Sequence, residues 1–245
     1  MANVFYNFIY DGTLEGLFCV FVRCINMRVK PHSIKSQFMM NTFFTAEYMP
    51  VRTDDKLADK FYRYIRTCAG VQAQQMVQDC FLTSLPEKEV DMFYFVYKLL
   101  KRGSAVCDDY EDESVRRIQL AIRDLYREGQ SIASNINYTK VHDVDVAVIN
   151  PRNIVLPIIK KSISKNIALD DYMAYDKRHR MLLIRRGDSE SIIDTSSVSG
   201  LDIRASESIS TAVYNSMWNY FAYGGRLSSS RGRGRGEMER MWEIA

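Results

Sequence analysis

The feature that most constrains the fold of this chain is a change of hydrophobic periodicity near residue 135. Before it, apolar residues recur at helical spacing through a block at about 53–134. After it, the sequence INYTKVHDVDVAVINP (136–151) alternates apolar and polar residues, which is typical of one long strand or a hairpin. Helices followed by strands favour an α+β fold. We expect a helix-rich N-terminal half and a small, mostly antiparallel sheet in the C-terminal half.

The helical block contains four predicted helices with recognisable ends. The first begins at Thr53, with acidic residues early, and ends at Gly70. The second covers roughly 71–84, the third 87–102 and the fourth about 112–134. We find no self-similar period, which disfavours a solenoid of repeats.

The C-terminal half returns to helix twice. Residues 153–167 predict a helix with Pro157 in its first turn, where proline is tolerated. Three short strands follow near 172–175, 180–185 and 190–194, and then a helix at 206–222. We therefore predict a single domain over residues 1–225, with the helical block followed by a sheet-containing part at about 135–225. An Arg/Gly/Ser-rich segment occupies 226–245.

The N-terminal stretch reads as strand, turn and helix, and it carries two carboxylates. Residues 4–10 are rich in aromatic and β-branched residues and predict a strand that ends at Asp11-Gly12. Thr13 can cap the next helix. Glu15 then lies in the first turn, where the helix dipole favours an acid. Asp11 and Glu15 either serve this local structure or face a ligand.

Composition favours a soluble, cytoplasmic protein. The formal net charge is only +3, from 33 Lys and Arg against 30 Asp and Glu, so the chain as a whole is not strongly basic. Five cysteines form no CxxC pair and fit reduced, buried thiols. We find no signal-peptide pattern at the N-terminus and no apolar run long enough for a membrane span.

Familiar catalytic motifs are absent from the sequence. There is no P-loop, dinucleotide fingerprint or GxSxG motif. The three histidines are far apart. Asp143 and Asp145 would share one face of a strand, where they could hold a hard cation or simply be solvated. We expect neither a metal nor a cofactor.

Two cationic stretches are candidates for binding phosphate. YDKRHRMLLIRR (175–186) includes Arg178 and Arg180, whose guanidinium groups suit phosphate geometry, although an exposed hairpin turn has the same pattern. The C-terminal GGRLSSSRGRGRG has arginines that can neutralise phosphates or merely solvate a linker. The candidate arginines of this segment are Arg226, Arg231, Arg233 and Arg235.

Several stretches resemble one uncharacterised bacterial family. YDGTLEGLFCVF (10–21) is similar to its N-terminal motif, an aromatic residue followed by Asp-Gly-Ser/Thr-Phe-Glu-Gly. The resemblance continues, in order, through RTDDKLADKFYRYI, KLLKRGSAV, INPRNIVLPII, AYDKRHR and YNSMWNYF. Members of that family are assigned to DNA metabolism or DNA repair. They are encoded beside a radical-SAM protein, and some are fused to a uracil-DNA-glycosylase-like domain.

The chain departs from that family at two places. Where the family has Glu-x-His and then Arg-Phe, this sequence reads Glu128-Gly129-Gln130 and Asn137-Tyr138. The family's Glu-x-Arg-x-Asn stretch near the C-terminus is replaced by SSSRGRGRG. The resemblance therefore implies a divergent member, either catalytic or non-catalytic.

Three hypotheses about function follow. The first is a DNA-repair or DNA-modification protein that binds DNA and acts with a glycosylase-like or radical-SAM partner. In it, a site lined by four carboxylates would be rimmed by Arg178, Arg180 and the C-terminal arginines. The carboxylates are Asp11, Glu15, Glu128 and Asp176. The second is a stand-alone hydrolase or glycosylase that uses those carboxylates. The third is a protein-interaction adaptor, and whether the chain is an enzyme stays open.

Overall fold

The computed structural model describes residues 6–37, 47–141, 144–166, 171–187 and 189–195. Within them, helices and strands give an α+β fold, as predicted. The helix predicted at 206–222 and the segment at 226–245 lie outside the described residues. None of the described helices is both long and apolar enough to cross a lipid bilayer.

The chain forms two compact units, one up to Leu125 and one from Tyr126 onward. The first contains β1 (Tyr6–Tyr10), α1 (Leu14–Met27), β2 (Pro31–Ser36), β3 (Met49–Pro50), α2 (Asp55–Leu82), α3 (Lys88–Arg102) and a 3₁₀ helix (Gly103–Asp108). α4 (Glu113–Asn135) contains the boundary. The second has β4 (Thr139–Val141), β5 (Val144–Ile149), α5 (Leu156–Asn166), β6 (Asp171–Asp176), β7 (Met181–Arg186) and β8 (Ser189–Asp194).

A small parallel sheet in the first unit was not predicted. Its strand order is β2-β1-β3, and both neighbours run parallel to β1. β1, α1 and β2 form a βαβ unit, because a helical crossover returns the chain to the same end of the sheet. Sequence pattern missed β2, PHSIKS, since it has one buried apolar side chain besides its leading proline.

The helices of the first unit follow their predicted bounds closely. The two helices expected at 53–70 and 71–84 are one element, α2, with a kink at Gly70, whose φ of 82° lies outside the helical region. α3 ends at Gly103, which also has a positive φ. Phe18 of α1 packs edge-on against Phe61 of α2, with ring centroids 5.8 Å apart. Such aromatic contacts fix α1 against α2.

The sheet of the second unit is mixed, which corrects the expectation of a mostly antiparallel one. Its strand order is β4-β5-β6-β7-β8. β5 and β6 are parallel because α5 connects them, whereas the other neighbours are hairpin-like and antiparallel. α5, which was predicted at 153–167, also lies in this half, so helices are not confined to the N-terminal half.

The parallel pair places two loops at one edge of this sheet. Ile149, the last residue of β5, is in register with Asp176, the last residue of β6. The Lys177 N–H also donates to the carbonyl of Ile149, at 3.1 Å. The segments that follow β5 and β6 therefore leave the sheet side by side. In open α/β sheets, the carboxyl ends of parallel strands are the usual place for ligands.

Candidate nucleic-acid interface

The Asp11 carboxylate joins the starts of two helices in the first unit. Its Oδ1 accepts from the backbone N–H and the hydroxyl of Thr13, at 2.9 and 2.6 Å. Its Oδ2 accepts from the hydroxyl of Thr53, at 2.8 Å. Thr13 in turn caps α1, since its Oγ1 accepts from the Gly16 N–H at 3.0 Å. Asp11 is thus occupied by its own chain.

Glycine at position 16 is required by this arrangement. A Cβ there would lie 2.2 Å from Asp11 Oδ1 and 2.9 Å from Thr53 Oγ1, both far inside contact distance. Glu15, the other acid of this stretch, is buried in the first turn of α1, with 7% of its surface exposed. Asp11, Thr13 and Gly16 of this stretch therefore form a turn that caps α1 and joins it to the start of α2.

The Glu128 carboxylate lies on α4 and holds the loop that follows β5. It accepts from the backbone N–H groups of Arg152 and Asn153, at 2.8 and 2.9 Å, and from the side-chain amide of Asn153, at 2.7 Å. Burial raises the pKa of Glu128, but the hydrogen bonds from Arg152 and Asn153 outweigh it, so that the pKa lies below its ordinary value. Glu128 is an ionised anchor for this loop.

The Asp176 carboxylate builds the turn between β6 and β7. Its Oδ1 accepts from the N–H groups of Arg178 and His179, both at 3.0 Å. Its Oδ2 lies 2.7 Å from His179 Nδ1. Asp176 is fully buried, whereas the His179 side chain is 20% exposed. A buried carboxylate therefore fixes both the backbone of the turn and the orientation of the imidazole.

The far end of the same turn is held by the residue after β8. The carbonyl of Arg180 accepts from the N–H and from the hydroxyl of Thr195, at 2.7 and 2.8 Å. Arg180 has a φ of 55°, in the left-handed region that non-glycine residues rarely adopt. Thr195 is itself buried. These bonds hold Arg180 in an unfavourable backbone conformation, a pattern found at functional turns.

The loops that Glu128 and Asp176 hold carry cationic side chains that remain exposed. Arg178 and Arg180 are exposed on the turn, and Lys177 beside them is half-buried. Arg152, on the neighbouring loop, has a side chain 71% exposed and lies 3.9 Å from Glu128. The two loops that leave the sheet after β5 and β6 thus carry exposed basic side chains, which can bind phosphate groups.

The four predicted carboxylates are divided between the two units. Asp11 and Glu15 belong to the first. Glu128 and Asp176 belong to the second, where both brace loops at the same sheet edge. The structure therefore brings together Glu128, Asp176, Arg178 and Arg180, but as two internal anchors and two exposed cations. Arg226, Arg231, Arg233 and Arg235 lie outside the described residues.

Comparison with known proteins places the chain in a family. A family model described as a domain of unknown function, DUF4130, matches residues 86–229, well over half of the 245 residues. The chain belongs to the DUF4130 family. No curated protein and no solved structure matches it. The family description names no activity, so the predicted link to DNA metabolism stays a prediction.

The DUF4130 match separates the two groups of candidate residues. Glu128, Asp176, Arg178 and Arg180 fall inside it, whereas Asp11 and Glu15 precede it. The sheet edge at the ends of β5 and β6 is therefore within the part of the chain that defines the family. We take this edge as the candidate interface.

The DUF4130 region also contains a polar cleft of about 400 Å³ at the start of α4. Lys98 pairs with Asp112 and donates to Ser114 Oγ at 2.9 Å. The hydrogen bonds from Lys98 and Ser114 hold the pKa of Asp112 well below its usual range. Asp112 also accepts from the Ser114 N–H at 3.0 Å, as a helix cap does. The cleft is thus lined by groups that satisfy one another.

The sequence pattern did not predict the partner residues that hold the two loops at the ends of β5 and β6. Asn153 and Thr195 are buried polar residues that anchor Glu128 and Arg180, and His179 is paired with Asp176. The signal for the turn itself was present, because an aspartate favours a turn by accepting from the backbone N–H two residues later. No local pattern links Thr195 to Arg180. Within the described ranges, no group of three or more potential ligands could hold a metal ion.

Proposed function

We propose that this protein binds DNA through the exposed arginines of the turn at 177–180, and that it acts in DNA repair or DNA modification. The observation that carries the proposal is a turn braced at both ends, with Arg178 and Arg180 exposed on it. A fixed backbone lowers the entropic cost of placing such side chains on a phosphate backbone. Phosphate contacts of this kind position a protein on DNA without reading sequence.

The state of the carboxylates favours binding over hydrolysis. Asp11, Glu128 and Asp176 all accept hydrogen bonds from their own chain. A general base needs an accessible oxygen within reach of its proton donor, and a water-activating carboxylate would have to leave these bonds first. We therefore infer an accessory role. The chemistry would be supplied by a glycosylase-like or radical-SAM partner, as the resemblance implies.

The test is the salt dependence of DNA binding by the full chain. Fluorescence anisotropy with labelled single-stranded and duplex oligonucleotides gives Kd over a salt series. Each lost phosphate contact lowers the slope of log Kd against log salt by about 0.7–0.9. The double variant Arg178→Gln/Arg180→Gln should therefore lose between about 1.4 and 1.8 from the slope.

A matched control separates an effect of these two arginines on DNA binding from an effect of net charge. Lys60→Gln/Arg66→Gln removes two exposed cations from α2, in the first unit. The control should bind as the parent does. Equal weakening in both double variants would contradict the proposal. A third variant, with glutamine at Arg226, Arg231, Arg233 and Arg235, measures the share of the C-terminal segment.

A separate assay tests the hypothesis of a stand-alone enzyme. Release of a base from damaged DNA by the pure protein, abolished in a Glu15→Gln variant, would replace the accessory role with a catalytic one. Absence of salt-dependent DNA binding would leave the adaptor hypothesis.

A further inference from the structure

We propose that His179 is a third phosphate-binding group of the turn, which binds the phosphodiester as an imidazolium, so that affinity rises as pH falls. The inference rests on the proposed function, since it names a further contact in the same site.

Among the described residues, the hydrogen bond of the His179 ring is at Nδ1, and none is made by Nε2. Nδ1 lies 2.7 Å from Oδ2 of the fully buried Asp176, and one fifth of the side chain is exposed. An imidazolium donates from both nitrogens. The protonated ring can therefore keep its bond to Asp176 through Nδ1–H while it donates Nε2–H to a phosphate oxygen. This division of the two nitrogens is common where a carboxylate orients a functional histidine.

The charges around His179 couple its protonation to an anionic ligand. The buried Asp176 carboxylate contacts the ring, and the cations Lys177, Arg178 and Arg180 are its neighbours along the turn. On the adjacent strand, Asp194 of β8 is in register with Met181, next to the turn. A phosphate bound by the arginines would offset their repulsion of the ring. Binding and proton uptake are then thermodynamically linked, each favouring the other.

The backbone holds the imidazole beside the arginines. The N–H of His179 is bonded to Asp176, the N–H of Lys177 to Ile149, and the carbonyl of Arg180 to Thr195. His179 is thus fixed between two exposed arginines.

The first experiment measures the pH dependence of affinity. We expect the full chain to bind a DNA oligonucleotide roughly three- to tenfold more tightly at about pH 6 than at about pH 8, as uptake of up to one proton allows. His179→Gln should bind more weakly at the lower pH and lose this dependence. His179→Arg should bind tightly at both pH values, because its charge is fixed. His32→Gln, which alters an exposed histidine of β2, should behave as the parent does.

A second readout does not require DNA. The imidazole resonances of the full chain are followed by NMR through a pH titration, with and without inorganic pyrophosphate, and His179 is assigned with His179→Gln. We expect pyrophosphate to move the titration midpoint of His179 upward and to leave that of His32 in place. An unchanged midpoint would overturn the inference.

The outcomes separate the inference from the proposed function. DNA binding that is independent of pH, and equally tight in His179→Gln, would contradict the inference and leave the proposed function intact. A pyrophosphate response without DNA binding at any pH would support a phosphate site and reject DNA as its ligand. Circular dichroism of each variant shows whether the fold is retained, and His179→Arg keeps the test decisive should His179→Gln unfold.

Discussion

In both the Asp11 turn and the Asp176 turn, an aspartate accepts hydrogen bonds from its own turn, but the two turns differ in the side chains that they expose. Each aspartate lies at the carboxyl end of a parallel strand and accepts from the backbone N–H two residues later. At Asp11 the remaining partners are hydroxyl groups of Thr13 and Thr53, and there is no room even for a methyl group at position 16. At Asp176 the same bonding leaves Arg178 and Arg180 exposed.

The difference shows why a carboxylate in a turn is weak evidence for catalysis. Both aspartates are satisfied by their own chain, so what distinguishes the two sites is the side chains that the turn presents. The Asp11 turn joins α1 to the start of α2. The Asp176 turn presents cations. Substitutions at four places test this contrast: Gly16, Asp176, Glu128 and the pair Arg178 and Arg180.

The largest effect is expected at Gly16. Alanine normally favours a helix over glycine by about 1 kcal/mol. Here we expect Gly16→Ala to lower the free energy of unfolding by about 3 kcal/mol, because its Cβ would displace the Asp11 carboxylate. Urea denaturation measures the change. In the double variant with Asp11→Ala, the two costs should be clearly less than additive. A stabilised Gly16→Ala would refute the packing described for this turn.

Removal of the Asp176 side chain comes next. Asp176→Ala leaves the N–H groups of Arg178 and His179, and the imidazole Nδ1, without their acceptor. We expect a loss of about 2–3 kcal/mol in unfolding free energy. Asp176→Asn, which keeps one acceptor oxygen, should lose less. Equal losses in the two variants would mean that the backbone bonds to Oδ1 contribute little.

Glu128 gives an effect that depends on pH. Its depressed pKa means that the ionised form stabilises the folded state above the ordinary pKa of glutamate, and that this stability is lost as pH falls through the folded value. At neutral pH, Glu128→Gln should lower the unfolding free energy by about 1–2 kcal/mol. Between about pH 5 and pH 3 the difference from the parent should shrink. A constant difference would contradict an ionised anchor.

The smallest effect on stability is expected for the exposed arginines. Arg178→Gln/Arg180→Gln should change the unfolding free energy by less than about 0.5 kcal/mol, since exposed side chains away from the core contribute little. The same substitutions remove the proposed phosphate contacts. Thermal denaturation in low salt tests this. A large loss of stability would make these arginines structural and would remove the contrast with the Asp11 turn.

Local sequence pattern predicted the helices well, because their signals are local. The end of α3 at Gly103 follows from a positive φ that glycine adopts easily, and the break near Gly70 is a kink for the same reason. Strands β6, β7 and β8 were also predicted to within two residues. Capping of α1 by Thr13 is confirmed by its bond from Gly16.

Strand pairing and side-chain partners could not be predicted in this way. The order of β5, α5 and β6 along the sequence does indicate a parallel pair of strands. The run of strands near the end of the described sequence nevertheless led to the expectation of a mostly antiparallel sheet. The engagement of Glu128 depends on a loop 24 residues away, and that of Arg180 on Thr195, so neither has a local signal. An acidic residue at a turn is the sequence signal in both places, yet the Asp11 turn joins two helices and the Asp176 turn exposes cations.

The most direct test of the central claim is a map of where DNA contacts the chain. Backbone amide resonances are followed by NMR while a short oligonucleotide is added to the full chain. We predict that the amides of residues 177–180 shift with saturating dependence on DNA, and that those of Thr13 and Gly16 do not. Shifts at Thr13 and Gly16 with none at 177–180 would contradict the assignment of the Asp176 turn as the interface.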